Sequence, residues 1–187
     1  NVKIIFERPE DFITLEQSLK DGLPKLVRPP GEAASYSNHG LALAGYIVEV
    51  VSKKPYAQYI QDNILDPLGM DHTSAMQPLP AKLKSDMSLG YLSKDTPPKP
   101  FELVSISPAG SISASGSDMA RYIQMLLNGG ELEGKRILKS STLEMMLAPQ
   151  WRFQPGELGQ GFVFFRELYG DQPVFSHEGA TKLFLSL

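Results

Sequence analysis

The 187-residue sequence has no cysteine, which excludes disulfides, thiolate metal sites and cysteine nucleophiles together. At this length a hydrophobic core needs no covalent staples, so the absence says nothing about compartment. Histidine is scarce as well: His39, His72 and His177 stand far apart, with no H-E-x-x-H spacing, and no metal site or other cofactor is expected. Basic residues do not dominate. With 18 Lys and Arg against 21 Asp and Glu, the net charge is −3, and no basic face is available for phosphates. A nucleic-acid partner is therefore not expected. No apolar run approaches the roughly 20 residues that a spanning helix needs, so no membrane segment is expected in the chain. Phosphate-binding G-x-G-x-x-G and P-loop patterns and the G-x-S-x-G elbow are missing too, and Gly156, Gly159 and Gly161 have the wrong spacing.

What is present is 42% hydrophobic residues, enough for a core, and 16 glycines and 15 prolines distributed unevenly. Ser37-Asn38 offers caps for a helix from Leu41 to Ser52, with Leu41, Ala44, Val48 and Val51 as its apolar stripe. A shorter helix from Thr14 leads to Gly22. Pro55 suits a first helical position before Tyr56, Tyr59, Ile60 and Ile64, and Asp66-Pro67-Leu68-Gly69 ends that stretch. Six prolines between Pro78 and Pro108 predict an ordered excursion, or an interdomain linker, broken by one strand over Phe101 to Ile106. Ser117 or Asp118 should cap a helix reaching Asn128, with Met119, Tyr122, Ile123, Leu126 and Leu127 inward. Ser141 and Glu144 have capping-box spacing for the next helix. Met119, Met125, Met145 and Met146 read as core filling. Strands are expected over Phe162–Leu168, Pro173–Ser176 and Lys182–Leu187, which makes an α+β class with an incomplete antiparallel sheet. The start, Asn1-Val2-Lys3-Ile4-Ile5, lacks Met and resembles no signal peptide, and the end falls inside an apolar run. Both predict a piece of a longer protein.

Three stretches carry chemistry. They are Pro29-Pro30-Gly31 running through Tyr36-Ser37-Asn38 to Pro67-Leu68-Gly69-Met70 and Thr73-Ser74, then Ser107-Pro108-Ala109-Gly110 through Ser117-Asp118-Met119-Ala120-Arg121, then His177-Glu178-Gly179-Ala180-Thr181. In this order, over about Leu15 to Thr181, the sequence resembles the serine β-lactamase and penicillin-binding-protein superfamily. The class C-like branch, with esterases, D-aminopeptidases and D-alanyl-D-alanine carboxypeptidases, is the nearest in pattern. The resemblance implies a β-lactamase/transpeptidase-like fold, in which 1–187 is a partial domain with a mostly helical region at 10–150 and sheet strands at 160–187.

That family combines S-x-x-K, Y-x-N and K/H-x-G. The second is matched by Tyr36-Ser37-Asn38 and the third, in its histidine variant, by His177-Glu178-Gly179. The first is missing: no serine in the chain has a lysine three residues later. Thr96-Pro97-Pro98-Lys99 has the offset, but its prolines prevent the helical turn that would bring the two together. Because S-x-x-K precedes Y-x-N in the family, the resemblance places the nucleophile and its lysine before Asn1 and predicts an inactive segment of an acyl-enzyme-forming serine hydrolase. The alternative is a non-catalytic relative that uses the cleft for binding.

The implied roles are specific. Tyr36 is the proton relay, and its phenol, with an ordinary pKa near 10, needs a neighbouring cation to act as a base. Asn38, which carries both an acceptor and a donor, holds the lysine and the substrate amide. His177 orients Tyr36 or meets a substrate carboxylate, Gly179 admits close backbone approach, and the Ala180 N–H donates to an oxyanion, a contribution of about 3 kcal/mol. Taken singly, Tyr36 is a packing residue, Asn38 an N-cap and His177 a hydrogen-bonded strand end; the ordered set changes that reading. His39 and His72 are expected to be structural or solvent-facing, and Glu178 and Lys182 solvent-facing. Where relatives often continue Gly-Ala-Thr-Pro-Gly, this chain has Gly179-Ala180-Thr181-Lys182-Leu183 and loses a turn signal. The expected partner is a small ester, amide or D-peptide. Self-association through the open sheet edge is a further expectation, and family tendency alone favours an extracytoplasmic location.

Overall fold

Thr14 and Ser37 begin the first two helices by the same device. Each side-chain oxygen accepts a backbone N–H three residues on, from Gln17 and Gly40, which satisfies a donor that the helix itself cannot pair. The computed structural model, which describes residues 3–152, 154, 156 and 158–186, thereby places α1 at Leu15–Asp21 and α2 at Asn38–Ser52. Ser37 is the cap and Asn38 is already helical. The predicted stripe of α2 is rotated: Ala42 and Gly45 are buried, whereas Ala44 and Val51 face solvent, as do Leu43, Ile47 and Val50. The small residues decide which face is approached. A Cβ at Gly45 would stand 2.0 Å from Pro108 Cγ and 2.4 Å from its Cβ.

Gly45→Ala is therefore expected to destabilise the fold. Alanine gains about 1 kcal/mol of helix propensity, but a rigid proline ring cannot yield as a flexible side chain would, and overpacking costs typically about 1–3 kcal/mol. The denaturant midpoint should fall by the equivalent of up to about 2 kcal/mol. Gly40→Ala, with Ser37 at an ordinary 3.5 Å, is the control that should not fall.

After α2, Pro55 occupies the cap position rather than the first helical one, and α3 covers Tyr56–Ile60. The chain continues through a π-helical turn at Gln61–Leu65 into α4, Asp66–Leu68, which Gly69 ends in the left-handed conformation at φ 63°. Leu65, Leu68 and Met70 join Met125, Leu126, Leu132, Leu143 and Phe164 in one buried cluster.

Tyr56 and Tyr122 flank that region. Burial, with Tyr122 adding to it, pushes the Tyr56 hydroxyl up to about 12, and burial raises Tyr122 as well. Unfolded tyrosines ionise near 10, so between about pH 10 and 12 the unfolded chain releases protons that the folded chain retains. Stability is thus unaffected below pH 10 and lost above it, by up to about 3 kcal/mol for Tyr56. Denaturation midpoints should be flat from pH 7 to 9 and fall above 10, with Tyr56→Phe reducing the fall; a midpoint constant to pH 11.5 would refute this.

The proline-rich stretch contains α5, Ala81–Lys84, and contributes to the interior rather than only covering the surface: Leu79, Leu83, Leu103, Val104 and Ile106 are buried. Its expected strand is short. A strand not anticipated from the sequence, β1 at Ile5–Phe6, pairs antiparallel with β2 at Leu103–Val104, and Val104 and Ile106 pack with Leu15, Leu19 and Ala42.

α6 spans Gly116–Leu127, and its cap is Ser115, which accepts from the Asp118 N–H, not Ser117 or Asp118. Its buried side is Asp118, Met125 and Leu126, so Met119, Ile123 and Leu127 are exposed against expectation. Met125 is core and Met146 packs against it, while Met119 and Met145 are exposed. After the hairpin of β3 (Glu131–Leu132) and β4 (Lys135–Arg136), α7 covers Ser140–Leu147. Lys139 holds its cap position without a side-chain bond, and Ser141 lies inside the helix, so no Ser141–Glu144 capping box forms. β5 (Phe165–Tyr169) and β6 (Gln172–Ser176) form an antiparallel hairpin turning at Gly170-Asp171. β7 (Gly179–Ala180) pairs antiparallel with β8 (Leu185–Ser186). The single strand expected over Lys182–Leu187 is instead a bend followed by two strand residues, and Leu187 lies outside the described residues. Helices and small antiparallel sheets make the incomplete α+β fold of the β-lactamase/transpeptidase type. Among the described residues no helix is long and apolar enough to cross a membrane.

Candidate active site

Tyr36 sits outside regular structure one residue before the α2 cap and is 58% exposed. His177 follows the last residue of β6. The fold brings the two together, with ring centroids 5.9 Å apart and planes inclined by 46°. On another side of His177 lies Phe165, at 5.6 Å and 35°. Sequence reasoning missed Phe165, although the hairpin could have located it: counting outward from Gly170-Asp171 pairs Tyr169 with Gln172 and so Phe165 with Ser176, beside His177.

The imidazole is oriented by its own backbone. His177 Nδ1 lies 2.7 Å from the Glu178 carbonyl oxygen, which can only accept, so Nδ1 is the donor of that bond and Nε2 is left for another partner. Asn38 begins α2, two residues beyond Tyr36. Its side chain is exposed, and no hydrogen bond joins it to His177 among the described residues. Gly179 opposes Ser186, and a Cβ there would stand 2.5 Å from Ser186 Oγ, so a larger residue would have to turn the exposed serine hydroxyl aside. Ala180 is exposed. Because Thr181 N–H donates to the Phe184 carbonyl at 3.0 Å, the alternation of an antiparallel ladder turns the Ala180 N–H away from β8. Glu178 and Lys182 are exposed.

The remaining motif residues build the scaffold. Asp118, 4% exposed, accepts the Thr73 hydroxyl at 2.7 Å and the His72 N–H at 2.9 Å, tying the 72–73 segment to the first turn of α6. Arg121, one turn further, donates from Nε to the Leu68 carbonyl and forms an ion pair with Glu133 at 2.6 Å. The Leu68–Ser74 and Ser115–Arg121 stretches therefore hold each other. Among the described residues no three of His, Asp and Glu are grouped to hold a metal ion.

Residues 22–186 match the family described as Beta-lactamase. The chain is 31% identical over 191 aligned positions to a putative penicillin-binding protein, PbpX, of Bacillus subtilis, covering 92% of this chain and 44% of the relative. Among solved structures, the octameric penicillin-binding protein homologue from Pyrococcus abyssi superposes with a TM-score of 0.73 at 27% identity, over 89% of this chain and 38% of the other. The D-amino acid amidase from Ochrobactrum anthropi SV3 does so at 0.67 and 26% identity, over 90% and 50%. The chain spans less than half the length of the curated relatives it matches. With its Tyr36-Ser37-Asn38 and His177-Glu178-Gly179 segments adjacent in space and a match that runs nearly end to end, this chain belongs to the Beta-lactamase family.

Proposed function

We propose that this chain supplies the tyrosine, asparagine and histidine side of the active site of an acyl-enzyme-forming serine hydrolase acting on a small ester, amide or D-peptide. The observation that carries the reading is the 5.9 Å approach of the Tyr36 and His177 rings from motifs at opposite ends of the sequence. The relationship to a D-amino acid amidase supports a hydrolase, and because no serine in the chain is followed by lysine at the third position, the proposal takes the nucleophile and its lysine from outside it.

In this reading the upstream serine attacks the carbonyl and Tyr36 relays its proton to the leaving group. Asn38 bridges the lysine and the substrate amide. The Ala180 N–H, directed off the ladder, receives the developing oxyanion, and Gly179 keeps that strand flat against its neighbour. His177, with Nδ1 engaged by Glu178, uses Nε2 to orient the Tyr36 hydroxyl or, when protonated, to meet a carboxylate. The whole of 1–187 then forms part of one catalytic domain. Self-association belongs to the same proposal, supported by the exposed Leu185 on β8 and by the octameric Pyrococcus relative.

Treating the parent protein with a fluorophosphonate should add one adduct, on a serine N-terminal to Asn1, and none to the 187-residue chain alone. An adduct on the isolated chain would overturn the assignment. Reversible ligand binding by the parent without any adduct would instead establish a binding cleft.

A further inference from the structure

Asp118 anchors the 72–73 segment, and a second buried carboxylate anchors a segment next to the candidate site. Glu102, 8% exposed, lies just before β2 and reaches the opposite end of the sequence. Its Oε1 accepts the Lys182 N–H at 3.1 Å and its Oε2 accepts the Leu183 N–H at 3.3 Å. These two residues form the bend between β7 and β8, which is the place where the chain departs from the Thr-Pro-Gly often found in relatives. Neither lysine nor leucine favours a turn, and the bend has only Thr181 to support it locally. Thr181 Oγ1 accepts from Leu183 and Phe184 N–H at 3.3 and 3.2 Å. Glu102 thus replaces a missing local signal with a contact across 80 residues of sequence.

The bend has two neighbours that matter. Ala180 is one residue before Thr181 and pairs with Leu185, so any displacement of the bend displaces the Ala180 N–H. Phe184, at the far side of the bend, lines a cleft of about 270 Å³ with Leu79, Leu89 and Phe101. Gly90 lets the bend approach closely: a Cβ there would stand 2.8 Å from Leu183 Cβ and 3.2 Å from Phe184 Cε2. We propose that Glu102 is a positioning residue that holds the β7–β8 bend, and through it sets both the direction of the Ala180 N–H and the Phe184 wall of the cleft. The inference rests on the acyl-transfer reading for its effect on turnover, though not for its effect on geometry.

Two measurements test it. In the parent enzyme assayed with p-nitrophenyl butyrate, Glu102→Ala should lower kcat about 10- to 100-fold while KM changes by less than about threefold, because a misplaced oxyanion donor weakens the transition state more than the ground state. Glu102→Gln, which keeps one acceptor oxygen, should fall between it and the wild type. Unchanged kcat in Glu102→Ala overturns the proposal. In the 187-residue chain, amide NMR of Glu102→Gln should show faster exchange at Lys182 and Leu183 and a shifted Ala180 resonance, with Met125 and Leu126 unchanged. If Lys182 and Leu183 open while the Ala180 resonance stays in place, Glu102 is only a staple and the proposal fails. A parent protein that turns over no ester, amide or D-peptide refutes the acyl-transfer reading, and the Ala180 resonance then decides the geometry by itself.

Discussion

Tyr36→Phe is expected to lower kcat for ester hydrolysis by the parent enzyme by about 10²- to 10⁴-fold, the range that a positioned acid–base group contributes. The substitution removes one oxygen and leaves the ring. The contact with His177 at 5.9 Å is between rings and survives in phenylalanine. The side chain is more than half exposed, so folding stability should change by no more than about 0.5 kcal/mol. Substrate affinity should also be kept, since the hydroxyl acts on the proton in flight rather than on the bound ground state, and KM should therefore move little. Steady-state kinetics beside a denaturation curve separate the two effects. A kcat within threefold of wild type would remove Tyr36 from the chemistry.

The largest expected effect on stability is at Asp118. Asp118→Ala deletes the acceptor of both the Thr73 hydroxyl and the His72 N–H, and Thr73 is itself buried. Hydrogen bonds to a charged group are worth about 1.5–3 kcal/mol, and a buried donor left without a partner costs a similar amount, so a loss of about 3 kcal/mol is expected. For a domain of this size that lowers Tm by roughly 6–12 °C. Asp118→Asn, which retains an acceptor oxygen, should lose less. Because Thr73 and Asp118 share one interaction, Thr73→Val should cost less in the Asp118→Ala background than in the wild type. A loss below 1 kcal/mol for Asp118→Ala, or strict additivity of the pair, would show that the 72–73 segment is anchored elsewhere.

The parts of this fold that could be read from the sequence are those governed by local chemistry. Thr14 and Ser37 cap helices because a hydroxyl can reach the third N–H within a single turn, and Gly69 and Gly170 end elements because they adopt positive φ. The inward faces of α2 and α6 were misjudged because apolar periodicity does not know where neighbours can approach. Gly45 admits Pro108 and Ala42 packs in the cluster of Val104 and Ile106, while the larger Leu43, Ile47 and Val50 remain outside. Likewise, Asp118 looked like a cap from its position and became a long-range acceptor, with Ser115 taking the cap instead. At the candidate site, Tyr36 and His177 were legible as motif residues, but Phe165 and Glu102 were not, since each acts through pairing or reach that only the assembled chain defines.

The ring contact between Tyr36 and His177 also has a bearing on how the site comes into being. It closes a loop of about 140 residues, whose entropic cost is on the order of 4 kcal/mol, while an aromatic pair returns only about 1 kcal/mol. The pair cannot hold itself. On these magnitudes it is expected to form only once α2 and the β5–β6 hairpin are held by their own packing, and to be among the first contacts to loosen when that packing is weakened. Alignment at the site is thus a property inherited from the whole fold, and a substitution far from Tyr36 can disturb it without touching any of its residues.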